Sequence, residues 1–185
     1  WTASLKSGFG RVAISTASDT NCYKVTNYNK LSGGHLLFDN LRCFAPLTDG
    51  FLLAGSDNGI YLINNNAKAN EVPEFSVWGD VKTDNDGIRN SCILSLLTFG
   101  DKVYIGTSGG GLSVASKASF ISKQPLFTTY TKEENGLPSN VIYTMATDSG
   151  NRIWGFCHYE KDIVTTCSKT AGCTSVDVHR HIILV

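Results

Sequence analysis

The sequence lacks an excess of charge of either sign. Its 185 residues contain 16 lysines and arginines against 16 aspartates and glutamates, and like charges form no run. Binding to a phosphate backbone or an anionic membrane requires a concentrated basic patch, which this composition does not supply. We therefore expect no nucleic acid partner and no membrane contact within this segment. The hydrophobic content of 42% is sufficient for a buried core.

Long hydrophobic runs are also missing. The longest, such as Cys92 to Leu97 and His181 to Val185, are far shorter than the roughly 20 apolar residues that cross a bilayer. No signal peptide or anchor is recognisable. We expect either an exported domain after processing or a piece of a longer membrane protein.

The six cysteines lack the spacing of metal or redox sites. None forms a C-x-x-C pair, and the cysteines and histidines that gather after residue 155 do not match a structural zinc site. Cys43 and Cys92 lie early in apolar runs, where a small core residue is a simpler interpretation than a disulfide or a reactive thiol. We expect no metal and no cofactor.

What the sequence does contain is a repeat. Residues 90–104 align with residues 140–154 without a gap, displaced by 50 positions, and an earlier copy, one residue shorter, starts at Asn40. A fixed period of this length is typical of stacked supersecondary units. The repeat therefore predicts a modular fold.

Each copy has the pattern of short antiparallel strands. Gly50, Gly100 and Gly150 mark a tight turn after the first strand, since glycine supplies the backbone conformation that such turns require. A second glycine turn leads to a third strand, and a fourth follows a polar link. Four short strands in about 50 residues are typical of a β-propeller blade. No stretch has sustained helical periodicity, so we expect almost no helix.

The predicted fold is all-β, a single propeller segment of about three and a half blades. Because each blade buries its faces on its neighbours, such a segment leaves apolar surface open. We expect a fragment of a larger propeller, an association that covers the open ends, or an incomplete fold. Trp78 and Tyr130, in the fourth strands, are expected to pack between blades. The predicted blades are residues 1–36 (partial), 37–86, 87–136 and 137–185.

Residues 130–154 resemble the two-component regulator propeller repeat. The family pattern is Y-T-x-E-N-G-L-P-S-N followed by I-x-x-I-x-x-D-x-x-G-x-I/L-W, and the chain reads Y-T-K-E-E-N-G-L-P-S-N-V-I-Y-T-M-A-T-D-S-G-N-R-I-W. The resemblance implies the periplasmic sensor region of a hybrid two-component histidine kinase or related regulator, often from Bacteroides-type bacteria. It also implies an oligosaccharide ligand. Any kinase activity would then reside in other domains, and this chain would not be an enzyme.

The two ends depart from the pattern. Residues 11–16, 21–25 and 26–28 look like the second, third and fourth strands of a blade whose first strand is missing or distorted. Residues 155–185 match no blade. This tail is a degenerate closing blade, an unusual cap, or the product of a reading-frame change or a cloning boundary. We favour the last two, since cysteine and histidine become frequent where the repeat is lost.

The resemblance places Arg42, Arg89, Asn90 and Asn140 near the loops around the central axis, where ligand contacts usually arise. These side chains suit sugar hydroxyls or acidic groups. The alternative is that the repeated asparagines bind backbone amides and stabilise turns, and this interpretation is the stronger one.

Two other functional classes remain open. An interaction scaffold would show an exposed apolar patch. A carbohydrate-active enzyme would need two carboxylates facing each other across a cleft. The acidic pairs Glu133–Glu134 and Asp84–Asp86 instead lie in loops before a first strand, so no catalytic residue is predicted.

Overall fold

The structure, a computed structural model, is almost entirely extended. Sixteen strands and two short helices lie within the residues that it describes. Neither of these helices is long or apolar enough to cross a membrane. The prediction of an all-β fold with very little helix is therefore confirmed. The described residues are 1–15, 22–29, 40–48, 50–66, 75–78, 88–157, 164–168, 172–176 and 182–184.

The strands form four separate sheets, which we call units 1 to 4. Unit 1 consists of β1 (Thr2–Ser4), β2 (Gly8–Ser15) and β3 (Cys22–Tyr28). Unit 2 consists of β4 (Leu41–Thr48), β5 (Phe51–Ser56), β6 (Gly59–Asn64) and β7 (Phe75–Trp78). Unit 3 consists of β8 (Ile93–Phe99), β9 (Lys102–Thr107), β10 (Leu112–Ser116) and β11 (Thr128–Tyr130). Helix α1 (Lys117–Ile121) precedes β11, and helix α2 (Lys132–Asn135) follows it.

Units 2 and 3 are complete four-stranded antiparallel meanders. In each of them every strand pairs with the next strand of the chain. This is the blade layout that the sequence predicted. The first strands of units 2 and 3, β4 and β8, pack against each other.

Unit 1 corrects the predicted strand assignment. The turn into β2 is built on Gly8, which has φ = 76°, and the corresponding turns of units 2 and 3 are built on Gly59 (φ = 118°) and Gly111 (φ = 83°). In units 2 and 3 the residue after this glycine pairs with the last residue of the fourth strand, β7 or β11. In unit 1 the residue after Gly8 pairs in the same way with the last residue of β3. Strands β1, β2 and β3 are therefore the second, third and fourth strands of a blade. Residues 22–25 and 26–28, predicted as two strands, lie in one strand, β3, and residues 11–15 lie in β2. Residues 16 and 21 of the predicted strands lie outside the described residues.

Unit 4 departs from the meander. It contains β12 (Ile142–Thr147), β13 (Ile153–Cys157), β14 (Val164–Ser168), β15 (Gly172–Val176) and β16 (Ile182–Leu184). Strand β16 pairs with β13 and so takes the place of a third strand, while β14 lies parallel to β16 on its far side. The described parts of the predicted tail thus extend the fourth sheet in an order that units 2 and 3 do not have.

The core lies between the units rather than within one of them. Trp78 is buried between units 2 and 3, with its ring centroid 5.5 Å from that of Phe120 of α1. Its burial confirms the predicted packing between blades. Tyr130, at the same position in unit 3, is 41% exposed, so it is covered much less completely than Trp78. The phenol of Tyr28, the equivalent in unit 1, is buried against unit 2.

Candidate functional site

One end of the units carries all four predicted site residues. There, a turn of each of units 1 to 3 contacts the start of the next unit; it is the turn between β1 and β2, between β5 and β6, or between β9 and β10. The Lys6 amide donates to Asn40 Oδ1 at 2.7 Å, the Gly59 amide to the Ser91 carbonyl at 2.7 Å, and the Gly109 amide to the Asn140 carbonyl at 3.0 Å. We call this the axial end. It comprises residues 5–7, 40–42, 57–58, 88–92, 108–110 and 131–141.

Asp57 is the centre of a polar cluster at the axial end. Its carboxylate accepts a hydrogen bond from Nε of Arg42 and one from Nδ2 of Asn40 at 2.8 Å. The thiol of Cys92, from unit 3, lies 3.6 Å from Oδ1 of Asp57. Because Asn40 also accepts from Lys6 of unit 1, the cluster joins three units.

The cluster is partly shielded from water. The side chains of Arg42 and Asp57 are 34% and 25% exposed. Burial by itself would raise the pKa of Asp57, but the hydrogen bonds from Arg42 and Asn40 outweigh it and lower that pKa below its usual value. The hydrogen bond to Asp57 raises the pKa of Arg42. Both groups are therefore charged at neutral pH.

Cys92 is not an activated thiol. Desolvation by burial is the largest of the influences that raise its pKa. A thiol of this kind stays protonated at neutral pH and is a poor nucleophile. Its contribution to the cluster is a weak hydrogen bond to the carboxylate.

Arg89 belongs to a second, more exposed ion pair. Its two terminal nitrogens donate to the two carboxylate oxygens of Glu134 at 2.7 and 2.8 Å, and the hydrogen bond raises the pKa of Arg89. Helix α2 positions Glu134, because the Thr131 side chain caps the helix and Gly136 ends it with φ = 71°. The two side chains are 49% and 53% exposed.

Each of the three repeated asparagines accepts a hydrogen bond from a backbone amide. The sequence favoured this role over ligand binding. Asn90 Oδ1 accepts from the Cys92 amide at 2.8 Å, and Asn140 Oδ1 accepts from the Lys132 amide at 2.7 Å. The side-chain amide nitrogen of Asn90 donates to the Ser108 carbonyl, and that of Asn140 donates to the carboxylate of Glu133. These bonds fix the loops of the axial end.

Strand pairing shows that the three asparagines are not equivalent, which corrects the gapless alignment. Leu41 pairs with Ser56, Ile93 with Thr107 and Ile142 with Cys157. Asn40 lies one position before Leu41, Asn140 lies two positions before Ile142, and Asn90 lies three positions before Ile93. The extra residue of unit 4 lies in the turn between β12 and β13. The different side-chain partners of the asparagines follow from these different positions.

The structure therefore divides the predicted residues. Arg42 lies in the Asp57 cluster, whereas Arg89, Asn90 and Asn140 hold the neighbouring loops. Sequence reasoning missed Asp57 because it lies in a turn where aspartate is common. The sequence did contain a signal for Asp57: the aligned residue of unit 3 is Ser108, so the repeat does not require a charge at this turn.

The acidic pairs and the possible metal ligands give no further site among the described residues. Glu133 and Glu134 are hydrogen-bonded to Asn140 and Arg89. Within the described ranges, no three histidine, cysteine, aspartate or glutamate side chains gather closely enough to hold a metal ion. Asp84, Asp86 and the histidines of the tail lie outside these ranges.

Comparison with known proteins gives a fold but no family. No family model and no curated protein matches the chain, so the resemblance of residues 130–154 to the propeller repeat stays a prediction. The solved structures that resemble the chain include two of the extracellular domain of BT4673 from B. thetaiotaomicron. One, described as a hybrid two-component system, has a TM-score of 0.53 and 20% identity over 72% of this chain. The other, described as a one-component system, has a TM-score of 0.52 and 19% identity over 84%.

The chain spans only a small part of these proteins. It covers 15% of the first structure and 20% of the second. At this level of identity the likeness shows a shared fold of all-β units.

Proposed function

We propose that this chain is a ligand-sensing segment of an extracytoplasmic, periplasmic regulator of the two-component type, and that its ligand is an oligosaccharide. The observation that carries the proposal is the likeness of its stacked units to the extracellular domain of such a system. The sequence resemblance of residues 130–154 supports the same conclusion independently. In this function the segment binds and transmits, and any kinase activity belongs to other domains.

The axial end supports a binding role. It brings polar side chains of units 2 and 3 together at Asp57, and a backbone amide of unit 1 donates to one of them, Asn40. A few polar groups held in fixed positions are typical of small-molecule sites. A ligand that contacts this end touches several units at once. Its binding free energy can then favour one arrangement of the units over another, which is what signalling requires.

Calorimetric titration of the 185-residue chain tests the proposal. Neutral and acidic oligosaccharides form the test panel, and amino acids, nucleotides and short peptides form the comparison panel. We expect saturable binding of at least one oligosaccharide, together with a rise in melting temperature that grows with ligand concentration. If only members of the comparison panel bind, the sensing of oligosaccharides is contradicted.

A second candidate function is a scaffold that binds a second copy of the chain. The observation that favours it is the apolar side of unit 1, where Tyr23 and Val25 are 62% and 57% exposed. Tyr28 faces unit 2, so by strand alternation these two residues point away from it. Exposed apolar patches of this kind mark association sites.

Light scattering separates the two functions. As a scaffold, the chain has a mass above that of a monomer, and Val25→Lys lowers it to the monomer value. The matched control is Thr48→Lys, on an exposed strand position of unit 2, and it leaves the mass unchanged. A monomer at all concentrations contradicts binding of a second copy through unit 1.

A further inference from the structure

The Arg42–Asp57 pair has hydrogen-bonding capacity that the described residues do not use. Arg42 binds Asp57 through Nε, and its two terminal amino groups make no hydrogen bond to any described residue. A guanidinium carries five donor hydrogens, so both terminal groups can donate outward. The pair is also reachable from solvent, since about a third of the Arg42 side chain is exposed.

The Arg89–Glu134 pair does not have this property. Both terminal nitrogens of Arg89 are matched to both oxygens of Glu134 in a fork. The pair is also more exposed than the first one, so water competes more effectively for its hydrogen bonds. Of the two ion pairs at the axial end, the Arg42–Asp57 pair is therefore the better contact for a ligand.

The chemistry of the pair selects the type of ligand. A hydroxyl group can both donate and accept, so two neighbouring hydroxyls match a carboxylate acceptor beside a guanidinium donor. A ligand carboxylate or sulfate would approach Arg42 but meet the charge of Asp57 a few ångströms away, which disfavours it. The pair is neutral as a whole and so offers an anionic ligand no net attraction.

We infer that the Arg42–Asp57 pair binds neighbouring hydroxyls of a neutral sugar, one accepting from a terminal amino group of Arg42 and the other donating to the carboxylate of Asp57. This inference deepens the proposed function and rests on it. Asn40 and Cys92 contact the same carboxylate and so hold it in place before the ligand arrives. A fixed carboxylate loses less conformational freedom on binding.

Calorimetric titration of variants with neutral and uronic-acid oligosaccharides tests the inference. Arg42→Gln and Asp57→Asn should each weaken binding of the neutral oligosaccharide at least roughly tenfold, since each removes a hydrogen bond that involves a charged group. The matched controls are Lys102→Gln and Asp101→Asn, at the turn between β8 and β9 of unit 3, away from the axial end. They should change the affinity less than about twofold, an amount near the scatter of surface substitutions.

Circular dichroism and melting temperature establish that each variant is folded. If Arg42→Gln does not fold, Arg42→Lys replaces it, because lysine keeps the charge but lacks the planar fork. The same tenfold loss is expected from Arg42→Lys.

Three outcomes would overturn the inference. Neutral oligosaccharides that bind both variants as tightly as the unaltered chain would move the site elsewhere and leave the proposed function intact. Tighter binding of uronic-acid than of neutral oligosaccharides would contradict the selection for neutral sugars alone. Binding of no oligosaccharide by the unaltered chain would remove the proposed function as well.

Discussion

The interfaces on the two sides of unit 3 differ in how they use the same aromatic position. Towards unit 3, Trp78 of unit 2 is covered by Phe120 of α1, which packs in turn on Phe127. Towards unit 4, Tyr130 of unit 3 is 41% exposed. The comparison teaches that a repeated residue is buried only if the next unit supplies a side chain to cover it. In unit 3 that side chain comes from α1, which lies between the third and fourth strands.

Alanine substitutions at the two aromatic positions should show the largest difference. Trp78→Ala removes a buried indole from the core between units 2 and 3 and should lower the free energy of unfolding by about 3–5 kcal/mol. Tyr130→Ala should lower it by less than half as much, because its ring is already partly in water. Urea denaturation followed by circular dichroism measures both. Equal losses would contradict the proposed difference between the interfaces.

Gly111 should tolerate substitution less well than Gly100, although both have positive φ. A Cβ at Gly111 would lie 2.1 Å from the carbonyl oxygen of Tyr130, whereas one at Gly100 would meet nothing within 4 Å. Gly100→Ala therefore measures the backbone strain alone. We expect Gly111→Ala to destabilise the chain by about 1–3 kcal/mol more than Gly100→Ala.

The same denaturation experiment measures this difference. Equal effects would mean that β11 moves aside at little cost. The side of unit 3 that faces unit 4 would then be even more loosely held than the exposure of Tyr130 indicates.

Tyr28→Phe should have a smaller effect and of the opposite sign. The Tyr28 ring is buried between units 1 and 2, and its hydroxyl has no hydrogen-bond partner among the described residues. Removing an unsatisfied buried hydroxyl is expected to leave the free energy of unfolding unchanged or to raise it by up to about 1 kcal/mol. Tyr23→Phe, at an exposed position, is the control. A clear loss of stability at Tyr28 would show that the hydroxyl is satisfied after all.

Most of the fold could be predicted from the sequence, because strand pairing is local within each unit. The repeat, its glycine turns and the short strand patterns between them specified the meanders of units 2 and 3. In unit 1 the strand that contains residues 11–15 was predicted as the second strand of a blade and is the third. The error arose because Gly8 was not recognised as the equivalent of Gly59. The order of strands in unit 4 could not be predicted, because β16 pairs with β13 over a sequence separation that no local pattern reports.

The candidate site was predictable only in part. Arg42 was found because the family resemblance places it near the loops around the central axis, where its guanidinium suits sugar hydroxyls or acidic groups. The ion pair of Arg42 with Asp57 depends on how a turn of unit 2 folds back onto the first strand of the same unit. Whether an asparagine contacts a ligand or a backbone amide depends on its position relative to the strand, and a shift of one residue changes the answer.

The stability of unit 4 should respond to acid through Asp148. This carboxylate accepts from the Trp154 indole at 2.8 Å and from Arg152 Nε at 2.7 Å, as well as from two backbone amides of the turn between β12 and β13. The hydrogen bond from Trp154 is the largest of the causes that lower the pKa of Asp148 to about 2. Unit 4 thus has a turn in which one carboxylate gathers four hydrogen bonds, whereas unit 2 has an aromatic ring covered by its neighbour.

Because folding lowers this pKa, the contribution of Asp148 is fully present above its usual value of 3.8 and is lost as the pH falls towards 2. The difference in melting temperature between the unaltered chain and Asp148→Asn should therefore shrink over this interval. Asp101→Asn, at the corresponding turn of unit 3, corrects for the general effect of acid. Because the carboxylate is at the surface, we expect the effect to be the smallest of the four. If the difference stays constant down to pH 2, the ionised carboxylate does not stabilise the turn, and unit 4 must be held by its contact with unit 3 instead.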